Sequence, residues 1–250
     1  MKALLLAAGY ATRLYPLTRD RPKPLLEVGG KALLTWILER VVRLPELSEV
    51  LVVTNAKFAP ALTDWARSAL CPVPIRVLDD GSRDDSDKLG ATGDIAFALR
   101  QAPLGNEDLL VVGGDNLLGF DLAPLHAEFV KHRRPQLAVR RIELPDGPSP
   151  YNEVTLDEEG RVLGFREKPA DPRSDLVAIC LYFYPPQIEG LLRRYLEEGG
   201  NPDAPGHFVA WLVRETEVRA ARFEGEWWDI GSHAALAAAR QQFQAGPRTR

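Results

Sequence analysis

The amino-acid sequence predicts a single α/β domain with a mainly parallel, doubly wound mixed sheet flanked by helices. Short apolar segments rich in Leu and Val alternate with segments in which apolar residues recur every three or four positions. No internal repeat or linker interrupts this alternation. Parallel strands need long crossover connections, and a helix between two strands supplies one, so this order favours a largely parallel sheet.

The first half of the chain carries the clearest alternation. We predict strands where short apolar runs lie between turn residues, and helices where the apolar spacing is amphipathic. The predicted strands are residues 2–6, 50–54, 75–78 and 108–112, and the predicted helices are residues 33–44, 59–70, 91–101 and 122–132.

The second half is richer in strands that follow one another directly. We predict strands at 136–142, 153–156, 161–165, 176–184 and 218–223, and helices at 187–197 and 208–214. Residues 157–160 predict a hairpin turn, and Ser232 predicts the cap of a terminal helix. We expect one domain over residues 1–245 and a frayed tail over residues 246–250.

The composition excludes several classes of protein. With 250 residues, 45% of them hydrophobic, and a net charge of −4, the chain is neither disordered nor drawn to nucleic acid by a global basic field. No apolar run is long enough to span a membrane. Two cysteines, Cys71 and Cys180, make no disulfide framework, and no Cys/His group has zinc spacing. We therefore expect a cytoplasmic protein without nucleic-acid or membrane partners.

The loop after the first predicted strand, residues 6–18, is the strongest local feature. It lies where open α/β sheets bind ligands, and its small residues around Gly9 let backbone N–H groups approach phosphate oxygens. Arg13 adds a bidentate positive group. A Walker A loop is excluded because Gly29-Gly30-Lys31 is followed by Ala32, and the dinucleotide fingerprint lacks two of its three glycines.

Lys23 lies between two prolines, Pro22 and Pro24. The prolines restrict the backbone on both sides of the lysine, so it loses little entropy when it binds a ligand. This arrangement suits a fixed positive charge for a phosphate group. A rigid loop with a solvated lysine is the alternative interpretation.

Two aspartates are candidates for holding a divalent cation. Asp115 follows a predicted strand and two glycines, and Asp229 precedes the start of a predicted helix. Mg²⁺ prefers one or two carboxylates together with substrate phosphates and water. The alternatives are an Asn/Asp turn at Asp115 and simple complementation of the helix dipole by Asp229.

Gly9–Thr18, followed by Pro22-Lys23-Pro24, resembles the signature of the sugar-1-phosphate nucleotidyltransferases, which include the glucose-1-phosphate thymidylyltransferases. The resemblance covers nearly the whole chain. It implies a Rossmann-like, GT-A-like sheet, with a nucleotide-binding half at residues 1–120 and a sugar-phosphate-binding half at 121–245. It also implies Mg²⁺ as cofactor and a nucleoside triphosphate and a sugar 1-phosphate as substrates. Assembly into a homo-oligomer is compatible with it.

The resemblance also implies a role for each matching residue. Arg13 and Lys23 would be the catalytic cations, and Asp115 and Asp229 the ligands of Mg²⁺. The sugar phosphate would be bound by Asn152, Glu167 and Lys168. The nucleotide would be bound by Leu6, Ala8, Gly9, Tyr10, Ala11, Thr12, Asp80 and Gly90.

The sequence departs from the family pattern on both sides of the predicted site. Thymidylyltransferases read the base with a glutamine after the third strand, whereas this chain has the acidic run 79–85. Asp80 could accept a hydrogen bond from thymine, uracil, guanine or cytosine, so the base stays open. Asn152 replaces a usual glycine, and residues 178–180 replace a small polar–glycine pair. The acceptor could therefore be an unusual sugar phosphate. The alternative is a non-sugar phosphate such as phosphocholine, used by a cytidylyltransferase.

Two rival functions remain at this stage. A glycosyltransferase predicts an Asp-x-Asp metal pair, but Asn116 and Leu117 follow Asp115. A regulatory protein that binds nucleotide sugars predicts loss of Arg13, Lys23, Asp115 or Asp229. All four are present, which favours catalysis. Because the chain ends soon after Asp229, we expect a compact enzyme with a single activity.

Overall fold

In the computed structural model, which describes residues 1–144 and 146–244, the predicted alternation forms one central mixed sheet. The predicted tail over residues 246–250 lies outside the described residues. The strands are β1 Lys2–Leu6, β2 Glu27–Val28, β3 Lys31–Ala32, β4 Glu49–Thr54, β5 Ile75–Asp79, β6 Leu109–Gly113, β7 Asn116–Leu118, β8 Gln136–Arg141, β9 Asn152–Leu156, β10 Val162–Arg166, β11 Leu176–Tyr184, β12 Arg219–Arg222 and β13 Trp227–Asp229. The helices are α1 Leu33–Val41, α2 Ala59–Ser68, α3 Ala91–Gln101, α4 Ala123–His132, α5 Ile188–Glu197, α6 Pro205–Glu215 and α7 His233–Gln244.

The path of the main sheet runs β5-β4-β1-β6-β11-β8-β12. β1 pairs in parallel with both β4 and β6, and β4 pairs in parallel with β5. β11 is antiparallel to β6 and to β8, whereas β12 returns in parallel beside β8. The β9–β10 ladder joins the beginning of β11. The predicted mainly parallel mixed sheet is therefore confirmed.

Helices cover both faces of the sheet, and each face has its own apolar core. In β1, Leu4 belongs to the core that contains α3, α5 and α6, whereas Ala3 and Leu5 belong to the core that contains α1, α2 and α4. Because side chains of a strand alternate between faces, both sets are buried and the strand is apolar throughout. Burying one such side chain contributes about 1.5–3 kcal/mol. A slip in register would exchange the two sets, so packing fixes the register.

Two short ladders lie outside the main sheet. β2 and β3 form a hairpin through Gly29 and Gly30, whose φ angles of 59° and 78° are those that a type I′ turn requires at both positions. β13 pairs antiparallel with β7, which places Asp229 opposite Asn116. The sequence analysis predicted neither ladder, and the second one assembles the candidate site.

Several helix ends differ from the prediction. Predicted helix 33–44 ends at Val41, since Leu44 N–H donates to Val41 O at 3.0 Å in a tighter turn. α2 ends at Ser68, before the fully exposed Leu70. α6 begins at Pro205, three residues early, because proline is well suited to the first turn of a helix. No helix within the described ranges is long and apolar enough to cross a bilayer.

Two local predictions are confirmed by hydrogen bonds. In the turn between β9 and β10, Oδ1 of Asp157 accepts from the backbone N–H groups of Glu159 and Arg161 at 3.0 and 2.8 Å. At the start of α7, the Ser232 hydroxyl accepts from the N–H of Ala235 at 3.1 Å. These three bonds satisfy backbone donors that the local fold would otherwise leave free.

Candidate active site

A cleft of about 490 Å³ opens at the carboxyl ends of β1 and β6. This is the edge at which open α/β sheets bind ligands. The sites predicted from sequence meet here, since every predicted site residue except Asp80 lines the cleft. These residues are Leu6, Ala8, Gly9, Tyr10, Ala11, Thr12, Arg13, Lys23, Gly90, Asp115, Asn152, Glu167, Lys168 and Asp229.

The loop after β1 is held in shape by polar contacts to its carbonyl groups. Asn55 Nδ2 donates to Ala8 O at 2.7 Å, and Thr18 Oγ1 donates to Ala11 O at 2.8 Å. Ala11 has a φ of 48°, a left-handed conformation that costs an alanine energy. Open space surrounds the Cα of Gly9, where an added Cβ would meet no atom within 4 Å. The loop is thus fixed from behind and open toward the cleft.

Lys23 and Asp115 form an ion pair inside the cleft, with 2.7 Å between Nζ and Oδ2. Lys23 begins a single 3₁₀ turn that Pro22 precedes in extended geometry. Burial raises the pKa of Asp115, but the Lys23 ammonium outweighs burial and holds that pKa below its usual range. The pair therefore places one fixed negative and one fixed positive charge at the end of β6.

Asp229 lies beside Asp115 because of the β7–β13 ladder. Asp229 is opposite Asn116 in that ladder, and the N–H of Ile230 donates to the backbone oxygen of Asp115 at 3.1 Å. Burial and the charge of Asp115 raise the pKa of Asp229 to about 6, against the opposing effects of Lys23, Lys168 and other cations. Two neighbouring carboxylates with positive groups around them form the electrostatic centre of the cleft.

Asn116 orients one of these carboxylates, a role that the sequence analysis did not assign. Its Nδ2 donates to Oδ1 of Asp115 and to Gly113 O, both at 3.1 Å. Its Oδ1 accepts a 2.7 Å hydrogen bond from the indole N–H of Trp227. In the sequence, Asn116 follows Asp115 directly and Trp227 lies two residues before Asp229, which is the only signal for either residue. Only the β7–β13 ladder brings Asn116 and Trp227 into contact.

The carboxylate pair is suited to a hard divalent cation. Asp115 and Asp229 are acidic, adjacent and only partly buried. Residues 1–144 and 146–244 contain no group of three or more His, Cys, Asp or Glu side chains arranged to hold a metal. Two protein ligands fit the habit of Mg²⁺, which usually keeps several waters and binds substrate phosphates.

The opposite wall of the cleft is built by the end of β10 and the start of α6. Lys168 has a φ of 39°, and its backbone N–H donates to Asn152 Oδ1 at 3.3 Å. Oε2 of Glu167 is buried without a hydrogen-bond partner among the described residues, and burial raises the pKa of this carboxyl. Gly206 packs so closely that an added Cβ would lie 1.5 Å from that oxygen.

At the remaining end of the cleft, α3 begins with its backbone donors already used. Ala91 and Thr92 donate to the carbonyls of Asp203 and Pro202 at 2.8 and 2.9 Å. Gly90 lines the cleft with a φ of 77°, and an added Cβ there would lie 2.5 Å from Pro202 O. The first N–H groups of α3 are therefore not free to bind a phosphate.

Asp80 lies behind the cleft wall, while Asp94, which the sequence analysis missed, lines the cleft. Oδ1 of Asp80 accepts hydrogen bonds from the N–H and the hydroxyl of Ser82 at 2.7 and 2.6 Å. Asp94 belongs to the polar part of the helical pattern in α3, yet it is 94% buried, with 6% of its surface exposed. A helical pattern alone gives no signal that this aspartate faces a cleft.

Comparisons with known proteins agree with this architecture. Residues 2–246 match the family model described as Nucleotidyl transferase. The chain is 30% identical over 237 residues to a glucose-1-phosphate thymidylyltransferase of Streptomyces antibioticus, covering 94% of this chain and 64% of that protein. It is 29% identical over 232 residues to the bifunctional protein GlmU of Methanocaldococcus jannaschii, covering 92% of this chain and 51% of that protein. The chain thus spans about half to two thirds of these curated relatives.

A solved structure of UDP-glucose pyrophosphorylase complexed with UDP-glucose has the same fold. The two structures superpose with a TM-score of 0.84 over 98% of each chain, at 22% sequence identity. At this level of identity the likeness concerns the arrangement of the sheet and helices.

Proposed function

The chain belongs to the Nucleotidyl transferase family, and we propose that it joins a nucleoside triphosphate to a sugar 1-phosphate, giving a nucleotide sugar and pyrophosphate. The observation that carries this proposal is the convergence of three cations on one carboxylate pair. Arg13, Lys23 and Lys168 all act on the charge of Asp229, which lies beside Asp115. These residues come from both halves of the chain, so residues 1–120 and 121–245 each contribute to the reaction.

The proposed reaction is a single displacement at phosphorus. An oxygen of the sugar phosphate attacks the α-phosphorus of the triphosphate and forms a new P–O bond. The bond from the α-phosphorus to the bridging oxygen breaks, and pyrophosphate leaves with that electron pair. The attacking oxygen is already anionic, so no general base has to remove a proton. The obstacle is repulsion between two polyanions, which fixed positive charges and correct positioning reduce.

Each cation has a place in this scheme. Arg13 lies in the loop after β1 and binds the triphosphate and the leaving pyrophosphate. Lys23, beside Asp115, binds the α-phosphate. Lys168 approaches from the opposite wall and binds the attacking phosphate. The left-handed backbone of Lys168 is consistent with this role, because strained conformations concentrate at functional sites.

Asp115 and Asp229 are the residues that would hold Mg²⁺. The ion, when bound, neutralises the charge of the triphosphate and orients its phosphates. Lys23 pairs with Oδ2 of Asp115 at 2.7 Å, so the lysine and the ion would share the charge of this carboxylate. Asn116 donates to Oδ1 of Asp115 and would keep the carboxylate oriented toward the ion.

The opposite wall supplies the groups for the sugar. The buried, unpartnered Oε2 of Glu167 is suited to accept a hydrogen bond from a sugar hydroxyl, which would repay its desolvation. Asn152 holds the backbone of Lys168 and narrows the subsite relative to the glycine expected from the family pattern. This favours a compact or unusually substituted acceptor.

The test is a pyrophosphate-release assay that combines ATP, CTP, GTP, UTP and dTTP with a panel of sugar 1-phosphates and phosphocholine. We expect release that requires one triphosphate, one acceptor and Mg²⁺ together. Release with phosphocholine alone would assign a cytidylyltransferase for a non-sugar acceptor. Binding of a nucleotide sugar without any release would favour a regulatory protein, and transfer from a nucleotide sugar would favour a glycosyltransferase.

A further inference from the structure

Resting on the proposed function, we propose that Asp94, positioned by Asp80, accepts a hydrogen bond from an amino group on the base of the nucleoside triphosphate. The site would thus prefer the amino-bearing bases cytosine, guanine and adenine over uracil and thymine. Asp94 is the specificity-determining residue, and Asp80 is a positioning residue that acts through it.

Two carboxyl groups, one buried and one half-buried, lie at one end of the cleft. Asp94 lies in the first turn of α3 and lines the cleft with only 6% of its surface exposed. Asp80 follows β5 directly and lies behind Asp94. Oδ1 of Asp94 and Oδ2 of Asp80 are both sealed from solvent, and neither has a hydrogen-bond partner in the described part of the chain.

A shared proton satisfies both of these oxygens. Two buried carboxylates side by side do not both ionise at neutral pH, because each raises the cost of charge on the other. Burial and the nearby Asp80 raise the pKa of Asp94 to about 8. Ser82 donates twice to Oδ1 of Asp80, so Oδ2 is the oxygen of Asp80 that is left to accept from Asp94. Asp94 therefore carries the proton and donates it to Oδ2 of Asp80.

This arrangement fixes what Asp94 presents to the cleft. Its Oδ1 is sealed and used as the donor to Asp80, so the carbonyl-like Oδ2 is the oxygen left to the cleft. Oδ2 is an acceptor with no proton of its own. A buried acceptor that stays unpaired costs free energy, so the preferred occupant is a group that donates.

The base, rather than a phosphate or the sugar, is the part of the nucleotide that fits this end. A carboxyl pair repels phosphates, and the adjacent N–H groups of α3 are already bonded to the carbonyls of Pro202 and Asp203. Arg13, the cation proposed to bind the triphosphate, lies three residues after Tyr10 in the loop that follows β1. Tyr10 is near Asp80, whereas Arg13 acts on Asp229. Tyr10 and Arg13 are three positions apart, so at most about 11 Å of backbone separates them. A nucleoside can bridge this distance, with its base near Tyr10 and its phosphates near Arg13.

The hydrogen-bonding edges of the bases then decide between them. Cytosine, guanine and adenine each carry an exocyclic amino group that donates. Uracil and thymine have no amino group, and carbonyl oxygens take its place. Their remaining donor, the ring N3–H, lies between two carbonyl oxygens, so an acceptor that meets this N–H also lies next to a carbonyl oxygen that it repels. A glutamine side chain at this place would offer both a donor and an acceptor. The carboxyl pair offers the cleft only an acceptor, because its proton is held between Asp94 and Asp80.

The direct experiment compares wild-type protein on triphosphate pairs that differ at the amino group, namely CTP with UTP and GTP with ITP. Pyrophosphate release is measured with Mg²⁺ and the acceptor that the panel identifies. We expect kcat/KM to be about 10- to 100-fold higher for the amino-bearing member of the pair that the enzyme uses. Best activity with UTP or dTTP, or pairs that differ less than about twofold, would overturn the inference and leave the transferase function standing.

Two substitutions separate base reading from a structural role. In Asp94→Asn, the amide N–H replaces the shared proton and the amide oxygen keeps facing the cleft, so we expect the amino preference to persist. Asp94→Ala removes the acceptor, and we expect the ratio of the pair to fall toward one. The matched control is Asp84→Asn, which changes an exposed carboxylate in the same loop. Equal ratios in wild type, Asp94→Asn and Asp94→Ala would contradict the assignment.

Binding calorimetry keeps the two proposals distinguishable. If no triphosphate releases pyrophosphate, the proposed transferase function fails, and the affinities for CTP and UTP or for GTP and ITP decide the base inference alone. Tighter binding of the amino-bearing member, by about tenfold or more, supports the role of Asp94. Equal binding within each pair contradicts it.

Discussion

An ion pair of 2.7 Å joins the Lys23 ammonium to Oδ2 of Asp115, although 92 residues separate them in sequence. Both side chains are partly shielded from solvent, with 16% and 33% of their surfaces exposed. The pair neutralises charge while the cleft holds no substrate. It also holds the Lys23 ammonium next to the place where the α-phosphate is proposed to bind. In the proposed reaction the same ammonium would bind that phosphate.

Replacing Lys23 by methionine should lower turnover by about 10²- to 10³-fold, the usual effect of losing one preorganised charge that stabilises a transition state. The measurement is kcat for pyrophosphate release at saturating Mg²⁺ and both substrates. Lys131→Met is the matched control, because Lys131 is an exposed residue of α4 whose partner is Glu128. Equal kcat values for the Lys23 variant and the wild type would remove Lys23 from the catalytic machinery.

Asn116→Ala should weaken the binding of Mg²⁺ without abolishing the reaction. Asn116 donates to Oδ1 of Asp115 and accepts from Trp227, so its loss frees the carboxylate to rotate. Groups that orient metal ligands typically contribute about 10- to 100-fold in metal affinity. Titration of activity with Mg²⁺ should show a higher half-saturating concentration and a nearly recovered kcat. Asp229→Asn should instead remain inactive at every Mg²⁺ concentration.

The stability of the protein should fall as pH rises from about 4 to about 8 on account of Asp94. The folded pKa of about 8 lies above the usual aspartate value of 3.8, so the folded state keeps a proton that the unfolded state has released. Ionised Asp94 lowers the free energy of unfolding, and this unfavourable contribution reaches its full size above the folded pKa. Asp94→Asn removes it, and urea unfolding should show a stability gain over wild type that grows with pH and levels off above pH about 8. Parallel pH profiles for the two proteins would rule out the raised pKa.

Gly206→Ala should affect the sugar side of the cleft selectively. An added Cβ would lie 1.5 Å from Oε2 of Glu167, so the carboxylate at the end of that side chain must move. We expect a higher KM for the acceptor, a nearly unchanged KM for the triphosphate, and little loss of stability. The matched control is Gly190→Ala in α5, where an added Cβ meets nothing within 4 Å.

That control should stabilise the protein by about 0.5–1 kcal/mol, because alanine is favoured over glycine in an exposed helix. A rise in the triphosphate KM equal to that for the acceptor would contradict the placement of Glu167 in the sugar subsite.

The sequence was sufficient for the main sheet because its signals are local. β1, β4 and β6 are unbroken apolar runs, and the helices between them have clear amphipathic spacing. The β2–β3 hairpin also has a local signal, because the Gly29-Gly30 pair is typical of a two-residue hairpin turn. β7 and β13 carried none. Each has three residues, and their pairing depends on tertiary contacts that close only when the sheet has formed.

The same distinction explains which site residues were predicted. Arg13, Lys23 and Asp115 lie in motifs directly after strands or beside prolines, so position and residue type together point to ligand binding. Asp94 occurs in the first turn of a helical pattern, where an aspartate normally faces solvent and complements the helix dipole. Its burial results from the packing of α3 against the segment that carries Pro202 and from the course of the loop around Asp80. Neither can be read from a single sequence.

The most direct test of the account follows labelled oxygen through one turnover. The acceptor phosphate is labelled with oxygen-18 at its non-bridging positions, and the masses of the products are measured by mass spectrometry. Attack by the acceptor on the α-phosphorus predicts that all of the label is in the nucleotide sugar and none is in pyrophosphate, with no product when Mg²⁺ is withheld. Label in pyrophosphate, or formation of a nucleoside monophosphate or diphosphate without a nucleotide sugar, would contradict the proposed transfer.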